Sequence, residues 1–543
     1  MGRTVQSSLV VGAALLVGIG AGIGLVGCHV DRPNCVGAGC AWSAETWARV
    51  QGLSHLPNLP QPDPPPDLSN QYWSNEKAAA LGQQFYFDTR FSGNTTLIDA
   101  IGRPVAAART PKGQPANVSC ASCHDPAHAG TDDTSVPNTV SIGAGIYDVN
   151  GQQTLNAAFY TLLYWNGRSD SLWAQALAVN ESKSSMNSTR LQDFWTIVDF
   201  YLAPYNAAFP EYPLPSVIKK ADYAALTDDN RPTVDRVFVN FGKAIAAYEY
   251  TLISRDSPFD RFVQDGPGSG WISPAAERGA MLFVGKASCI DCHNTPLLSD
   301  GRFHNIGVPQ SGEHVPTVAD CPVDGGCDCA PGDEKPSCAP SGAWAGALKL
   351  NAAKEGKNVE TDFRRDSKWS DGFIAPEAFA TTQIAGSPDG GAAPDPSLKG
   401  AWRTPSLRDV ALTAPYMHDG YYQTLTDVVE HYNMGGVQSA ASAFQLPVCG
   451  IADAAPPGCM DPNAGASVPH LAAEIKPLEL SDDEVSDLVA FLGTLTGAPL
   501  PAKIAARPPL PDASALSEAG VVSNPGGIPP DGGAPNADAG ASQ

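Results

Sequence analysis

Cys120-Ala-Ser-Cys123-His124 is the stretch that decides how this chain is read. It sets two thiols three positions apart with an imidazole directly after them, which is the spacing of c-type haem attachment. Each thiol can add to a vinyl group of a haem, and the adjacent His can supply an axial nitrogen to the iron. A second copy stands at Cys289-Ile-Asp-Cys292-His293. The competing readings are one four-cysteine zinc site or redox dithiols. The two pairs lie far apart in the chain, however, and zinc does not require a His after each. The expected cofactors are therefore two covalently bound haem c groups. Cys120, Cys123, Cys289 and Cys292 are the attachment points, and His124 and His293 the iron ligands.

Outward from the motifs the pattern is helical. Val234, Val237, Phe238, Phe241, Ile245, Tyr248 and Leu252 recur at helical spacing, as core residues of one long helix do. Shorter helical stretches surround it, from Leu81 to Asp88 and from Leu172 to Leu177. Ser273-Pro274 opens a helix leading to the second motif, with Pro at a favourable first-turn position. Ser481-Asp-Asp-Glu484 has the pattern of a capping box. With 543 residues the chain is too long for one ordinary core. The expected fold is mainly α: two cytochrome c-type haem domains with long loops, at residues 71–265 and 266–500. The second carries a Gly/Pro-rich surface insertion at about 310–399.

The ends read differently. Residues 9–27 are apolar after Arg3 and close on Leu25-Val26-Gly27-Cys28, which resembles a lipoprotein signal with its lipobox; a plain transmembrane anchor is the alternative. Either one exports the body, so residues 1–28 are set aside as a signal, and the periplasm or cell envelope is the expected location. Residues 29–70 are Pro-rich and read as a tether, and residues 501–543 as a disordered tail. Of thirteen cysteines, eight remain after the haem motifs and Cys28. In an oxidising compartment they can form four disulfides: Cys35 with Cys40, Cys449 with Cys459, and two among Cys321, Cys327, Cys329 and Cys338. The net charge of −23 repels nucleic acid and anionic membranes, so the only membrane contact expected is through a lipid anchor.

Several segments, in order, resemble the bacterial di-haem cytochrome c peroxidase and MauG family. They are Phe87 to Gly93, Tyr164 to Arg168, Ile253 to Arg261, Phe303 to Gly307, and Arg403 to Arg408 through Ala414 to Gly420. The resemblance runs from about Leu81 to Gly497, outside the insertion. It implies a C-terminal haem that takes electrons from a small donor protein, a cytochrome c or a cupredoxin. That haem passes them to an N-terminal haem where hydrogen peroxide is reduced. It also implies that Trp165 lies between the haems, that Arg403 belongs to the catalytic set, and that a calcium ion is held by the Asn150 side chain and the carbonyls of Thr413 and Pro415.

The departures from the family pattern concern mechanism. Where many peroxidases carry a histidine that caps the N-terminal iron, the run here is Ser141-Ile-Gly-Ala144-Gly145, and alanine has no donor atom. His128 lies one helical turn past His124 and reads as a surface residue. Ser185 stands where the family keeps a glutamate over the open haem, and Glu181 is the expected stand-in. At the second haem, peroxidases use a methionine and MauG a tyrosine. The matching position is Tyr432, with Met434 reachable by a small loop shift and His431 and Met417 poorer candidates. The leading expectation is thus a peroxide-reducing di-haem oxidoreductase. The alternatives are a MauG-like oxidase of a protein substrate, a di-haem oxygenase and a pure electron carrier.

Overall fold

Hydroxyl caps start most of the helices. Ser171, Thr189, Ser257, Ser273, Thr424 and Ser481 each accept a backbone N–H of the first turn, satisfying donors that a helix start leaves unpaired. The capping box at Ser481 and Glu484 is formed in both directions. The computed structural model describes residues 32–37, 40–54, 64–96, 110–132, 141–147, 149–308, 363–372, 398, 400–436 and 471–512. In order these form β1 (Arg32–Val36), β2 (Cys40–Trp42), α1 (Ala44–Gly52), α2 (Glu76–Phe87), α3 (Leu172–Glu181), α4 (Arg190–Phe200) and α5 (Leu202–Ala208). Then follow α6 (Arg231–Glu249), α7 (Pro258–Asp265), α8 (Pro274–Val284), β3 (Phe303–His304), β4 (Trp402–Arg403), α9 (Leu425–Asn433), α10 (Asp482–Leu492) and α11 (Ala502–Ala505). β1 and β2 pair in parallel; β3 and β4 pair antiparallel, Phe303 opposite Arg403 and His304 opposite Trp402.

The apolar side chains gather in two clusters. One is built on α2, α3, α4 and α6, around Phe85, Trp173, Phe194, Phe238 and Phe241. The other is built on α7, α8 and α10, around Phe259, Phe283, Leu488 and Phe491. A glycine sets the closest crossing in each. A Cβ on Gly82 of α2 would overlap the Ala244 carbonyl of α6, and one on Gly279 of α8 would overlap the Asp487 carbonyl of α10. In the second cluster Arg408, fully buried, grips Asp260 through Nη1 at 2.8 Å and Nη2 at 3.0 Å. Burial would raise that carboxyl, but Arg408 and the Ser257 cap hold it down at about 2. The Ile253 to Arg261 and Arg403 to Arg408 segments are thereby locked together.

Three expectations about the periphery change. The tether reading fails for residues 41–54, because the proline run begins only at Pro57 and leaves a capped amphipathic helix before it. Trp42, Trp47, Val50 and Leu53 pack into the second cluster, both tryptophans against Phe262. The insertion is not wholly superficial. Phe363 and Trp369 join the first cluster, and the buried Lys243 ammonium is paired with Asp371 at 2.8 Å and the Trp369 carbonyl at 2.8 Å. A buried ammonium without such partners would be costly. Residues 501–512 of the tail are held against the body, where side chains supply the hydrogen bonds their own sequence lacks. Gln83 donates to the carbonyls of Lys503, Ile504 and Ala506, Tyr248 to that of Ile504, and Arg90 to that of Pro511.

Cys28 and the signal, the rest of the insertion, and cysteines 321, 327, 329, 338, 449 and 459 lie outside the described residues. Cys35 is disulfide-bonded. Among the described residues no helix is long and apolar enough to cross a membrane.

Candidate functional site

Both Cys-x-x-Cys-His segments fold into the same device. Cys120–Ser122 is a 3-10 turn in which the His124 N–H donates to the Cys120 carbonyl at 2.9 Å; Cys289–Asp291 repeats it, His293 N–H to the Cys289 carbonyl at 2.9 Å. All four cysteines carry thiols rather than disulfides. One pair lines one cavity and the second pair another, so a four-cysteine zinc site is not formed. His124 Nδ1 donates to the Gly130 carbonyl (3.3 Å) and His293 Nδ1 to that of Leu298 (2.6 Å). Burial lowers the pKa of both imidazoles. Each ring is therefore neutral with its proton tied back on Nδ1, which leaves the Nε2 lone pair for a metal.

Both cavities are clefts whose walls are mostly apolar. Leu163, Leu172, Ala176 and Ile245 supply apolar wall in the first; Phe283, Leu407, Val410 and Leu492 do so in the second. Burial pushes the Cys289 thiol up to about 12 and raises Cys120 as well, so the thiols stand uncharged. A thiol pair, a neutral imidazole and an apolar cleft fit one c-type haem in each cavity.

What else lines the cavities differs. Ala144 is not itself part of the first wall: it is buried next to the lining Gly143, and its N–H donates to the carbonyl of Ser185, which does line the cavity, at 2.5 Å. The Ser185 hydroxyl bonds the Tyr147 hydroxyl, and Ser185, Tyr147, Met186 and Glu249 all belong to the wall. Glu249 is 5% exposed, and its Oε2 has no hydrogen-bond partner. Burial alone pushes its carboxyl up to about 8. Glu181 is corrected as a stand-in for the family's glutamate: Arg190 holds both its oxygens, at 2.8 and 3.1 Å, away from the wall. His128 is exposed and bonds Asp125 at 3.0 Å.

In the second cavity Tyr432 is part of the wall, and burial raises its phenol. Met434 is 54% exposed and outside the wall. His431 has both nitrogens engaged, by the Tyr422 hydroxyl (2.9 Å) and the Ile306 carbonyl (2.8 Å), and so has none left for a metal. Met417 and His418 line the cavity, His418 stacked on Trp402 with centroids 4.1 Å apart. His304 pairs with Asp300 at 2.8 Å; that bond, with the neighbouring Cys292, raises the imidazole to about 10.

Trp165 and Arg403 line both cavities. The Trp165 indole donates to the Asn150 carbonyl at 2.9 Å. Beside them a smaller cavity is lined by Asn150, Thr413, Pro415, Trp165 and Arg403. The Asn150 amide meets the Pro415 carbonyl at 2.6 Å. The residues expected to hold calcium are thus together, with neutral oxygens and no carboxylate in that wall. Sequence reasoning missed Tyr147, Met186, Trp402 and Glu249. Glu249 was detectable, four residues past Ile245 on the apolar stripe of α6.

A mainly helical chain with two Cys-x-x-Cys-His cavities sharing wall residues has the arrangement that a two-centre c-type cytochrome requires. Residues 76–267 match the family model for di-haem cytochrome c peroxidase. The chain is 27% identical over 482 residues to cytochrome-c peroxidase IdrP2 of Denitromonas iodatirespirans, covering 87% of this chain and 93% of that protein. It is 25% identical over 468 residues to methylamine utilization protein MauG of Methylorubrum extorquens, covering 86% and 90%. A solved MauG-like protein associated with microbial copper homeostasis shares the fold, with TM-score 0.51, 22% identity, and coverage of 83% of this chain and 98% of that one. Over most of its length the chain is thus similar to cytochrome-c peroxidases and MauG proteins, the resemblance its sequence segments carry.

Proposed function

We propose that this peroxidase-like oxidoreductase reduces hydrogen peroxide at the His124 cavity with electrons that enter through the His293 cavity. The observation that carries the reading is the unequal lining: Tyr432 and His418 stand in the wall of the His293 cavity beside His293, whereas the described wall of the His124 cavity holds no imidazole besides His124 itself, and Ala144, at the family's capping position, supplies none. A haem held by Cys120, Cys123 and His124 in one cavity and by Cys289, Cys292 and His293 in the other would supply the redox chemistry, peroxide reduction at the first and electron transfer at the second. The chain's own residues do the rest. His124 and His293 are oriented by the carbonyls of Gly130 and Leu298. The Ser185 and Tyr147 hydroxyls hold a proton in the first cavity in place of the family's carboxylate, a role worth about 10²–10⁴-fold for a well-matched general acid. Trp165, in the wall of both cavities, is the side chain through which electrons pass. Two electrons and two protons convert one peroxide into two waters.

The electrons come from a small donor protein, a cytochrome c or a cupredoxin with a basic face, which the acidic surface attracts. We assign calcium to Asn150, Thr413 and Pro415, with Asn150 turned to present its oxygen and water completing the shell. The deciding experiment is peroxide-dependent oxidation of a reduced cytochrome c or cupredoxin by the two-haem protein. Absence of turnover with both donors overturns the reading.

A second reading is favoured by one observation: the buried thioether of Met186 lines the first cavity. As an iron ligand it would close that site and leave a two-haem electron carrier. A low-spin first haem whose near-infrared methionine band disappears in Met186→Leu would select this reading.

A further inference from the structure

Arg403 stands where the cavities meet. It is 4% exposed and lines the His124 cavity, the His293 cavity and the smaller cavity beside Trp165. The strand β4 places it there: its N–H donates to the Trp165 carbonyl at 2.8 Å, and Phe303 of β3 faces it across the ladder. Nε donates to the Tyr164 carbonyl at 3.3 Å, and the guanidinium carbon sits 3.6 Å from the centre of the Tyr160 ring. Nη1 has no hydrogen-bond partner; burial lowers the guanidinium's pKa, and among the described residues what offsets it is the Tyr160 hydroxyl rather than a carboxylate. Glu249, the acid in the first cavity wall, gains no stabilisation from it: its shift comes from burial alone.

A guanidinium keeps its charge at any ordinary pH. Burying it without an anion costs several kcal/mol. Among the described residues the other buried cations obey that rule, Lys243 with Asp371, Arg408 with Asp260, and Arg190 with Glu181 and Asp235. Arg403 breaks it, and does so on the walls of both cavities that fit a haem. Haem carries carboxylates of its own, the two propionates. The fork geometry of arginine matches carboxylate oxygens, and its unused donor is available to them.

We propose that Arg403 is a shared anchor for the propionate carboxylates of both haems, a positioning residue that sets the charge around the two iron centres together. The inference rests on the two-haem reading but not on peroxide turnover. One cation beside both centres favours the reduced form of each, since reduction adds an electron. Removing it should therefore disfavour reduction at both sites, not at one.

The test is a spectroelectrochemical titration of the purified two-haem protein and its variants. Arg403→Gln should shift both reduction equilibria towards the oxidised form by about tenfold, or about 59 mV for a one-electron couple. Arg403→Lys, which keeps the charge and most of the volume, should leave both near wild type. If Arg403→Gln holds two haems and either equilibrium is unchanged, the shared anchor is overturned. If Arg403→Gln does not fold, resonance Raman of Arg403→Lys decides: the propionate bending bands should move at both haems, and unmoved bands overturn the inference. Wild-type protein carrying fewer than two haems would overturn both this inference and the function it rests on. Absent peroxide turnover would sink only the function.

Discussion

The two cavities begin alike and end differently. Each rests on a helix crossing closed by a glycine, Gly82 or Gly279, and each presents a cysteine pair and a histidine whose Nδ1 is tied to a backbone carbonyl. Beyond that device the walls diverge. The His293 cavity offers Tyr432, while the His124 cavity offers the Ser185–Tyr147 hydroxyl pair, Met186 and the buried acid Glu249. The lesson is that attachment and reactivity are encoded separately. A short local motif fixes the cofactor, and distant segments decide what it can bind.

The largest test of that separation removes attachment at one site only. Cys120→Ala/Cys123→Ala should lose one of two covalent haems and keep the other, because the apolar clusters behind the cavities are distinct. Intact mass and haem-stained gels count them; retention of both ends the assignment. The reciprocal change at Cys289 and Cys292 should spare the His124 haem.

Next in size are two exchanges of ligand character. Tyr432→Phe should open the His293 haem to cyanide or imidazole and create a high-spin signal in electron paramagnetic resonance. Met434→Leu should change nothing, since that side chain is mostly exposed. A high-spin site created by the methionine change instead would reverse the ligand choice. In the other cavity, the oxidised wild type should already show one high-spin haem, and Ala144→His should convert it to low spin and make peroxide reactivity depend on prior reduction. Two low-spin haems in the oxidised wild type would falsify the open-site reading and point to Met186.

The smallest expected effect concerns Glu249, whose buried acid has no counterpart in the described wall of the second cavity. Its carboxyl titrates at about 8 in the native protein against an ordinary 4.5. Between those values the native state holds a proton that the unfolded chain releases, so stability falls as pH rises through this window, by up to about 1.4 kcal/mol per pH unit. Above about 8 both states are ionised and the slope from this group vanishes. Glu249→Gln stays neutral and should flatten the fall, gaining at pH 8 relative to wild type and little at pH 5. Thermal midpoints across this range measure it; parallel curves for the two proteins would remove Glu249 as the source.

Much of this molecule is determined by the sequence alone, where the signal is local. Cys-x-x-Cys-His sets the turn and the adjacent donor within five residues, the capping box at Ser481 starts its helix within four, and the stripe from Val234 to Leu252 announces a buried helix. Counting along an alignable segment points to Tyr432, which the fold places in the wall of the His293 cavity. Local reading failed where partners are remote. Residues 41–54 and 501–512 look weak by composition, yet they are fixed by Phe262, Gln83 and Tyr248. Glu181 looked available until Arg190 claimed it. Only the tertiary structure could decide that Arg403 is buried without a carboxylate between two cavities. A charge carries no record in its own sequence of which opposite charge, if any, will be near it once the chain has folded.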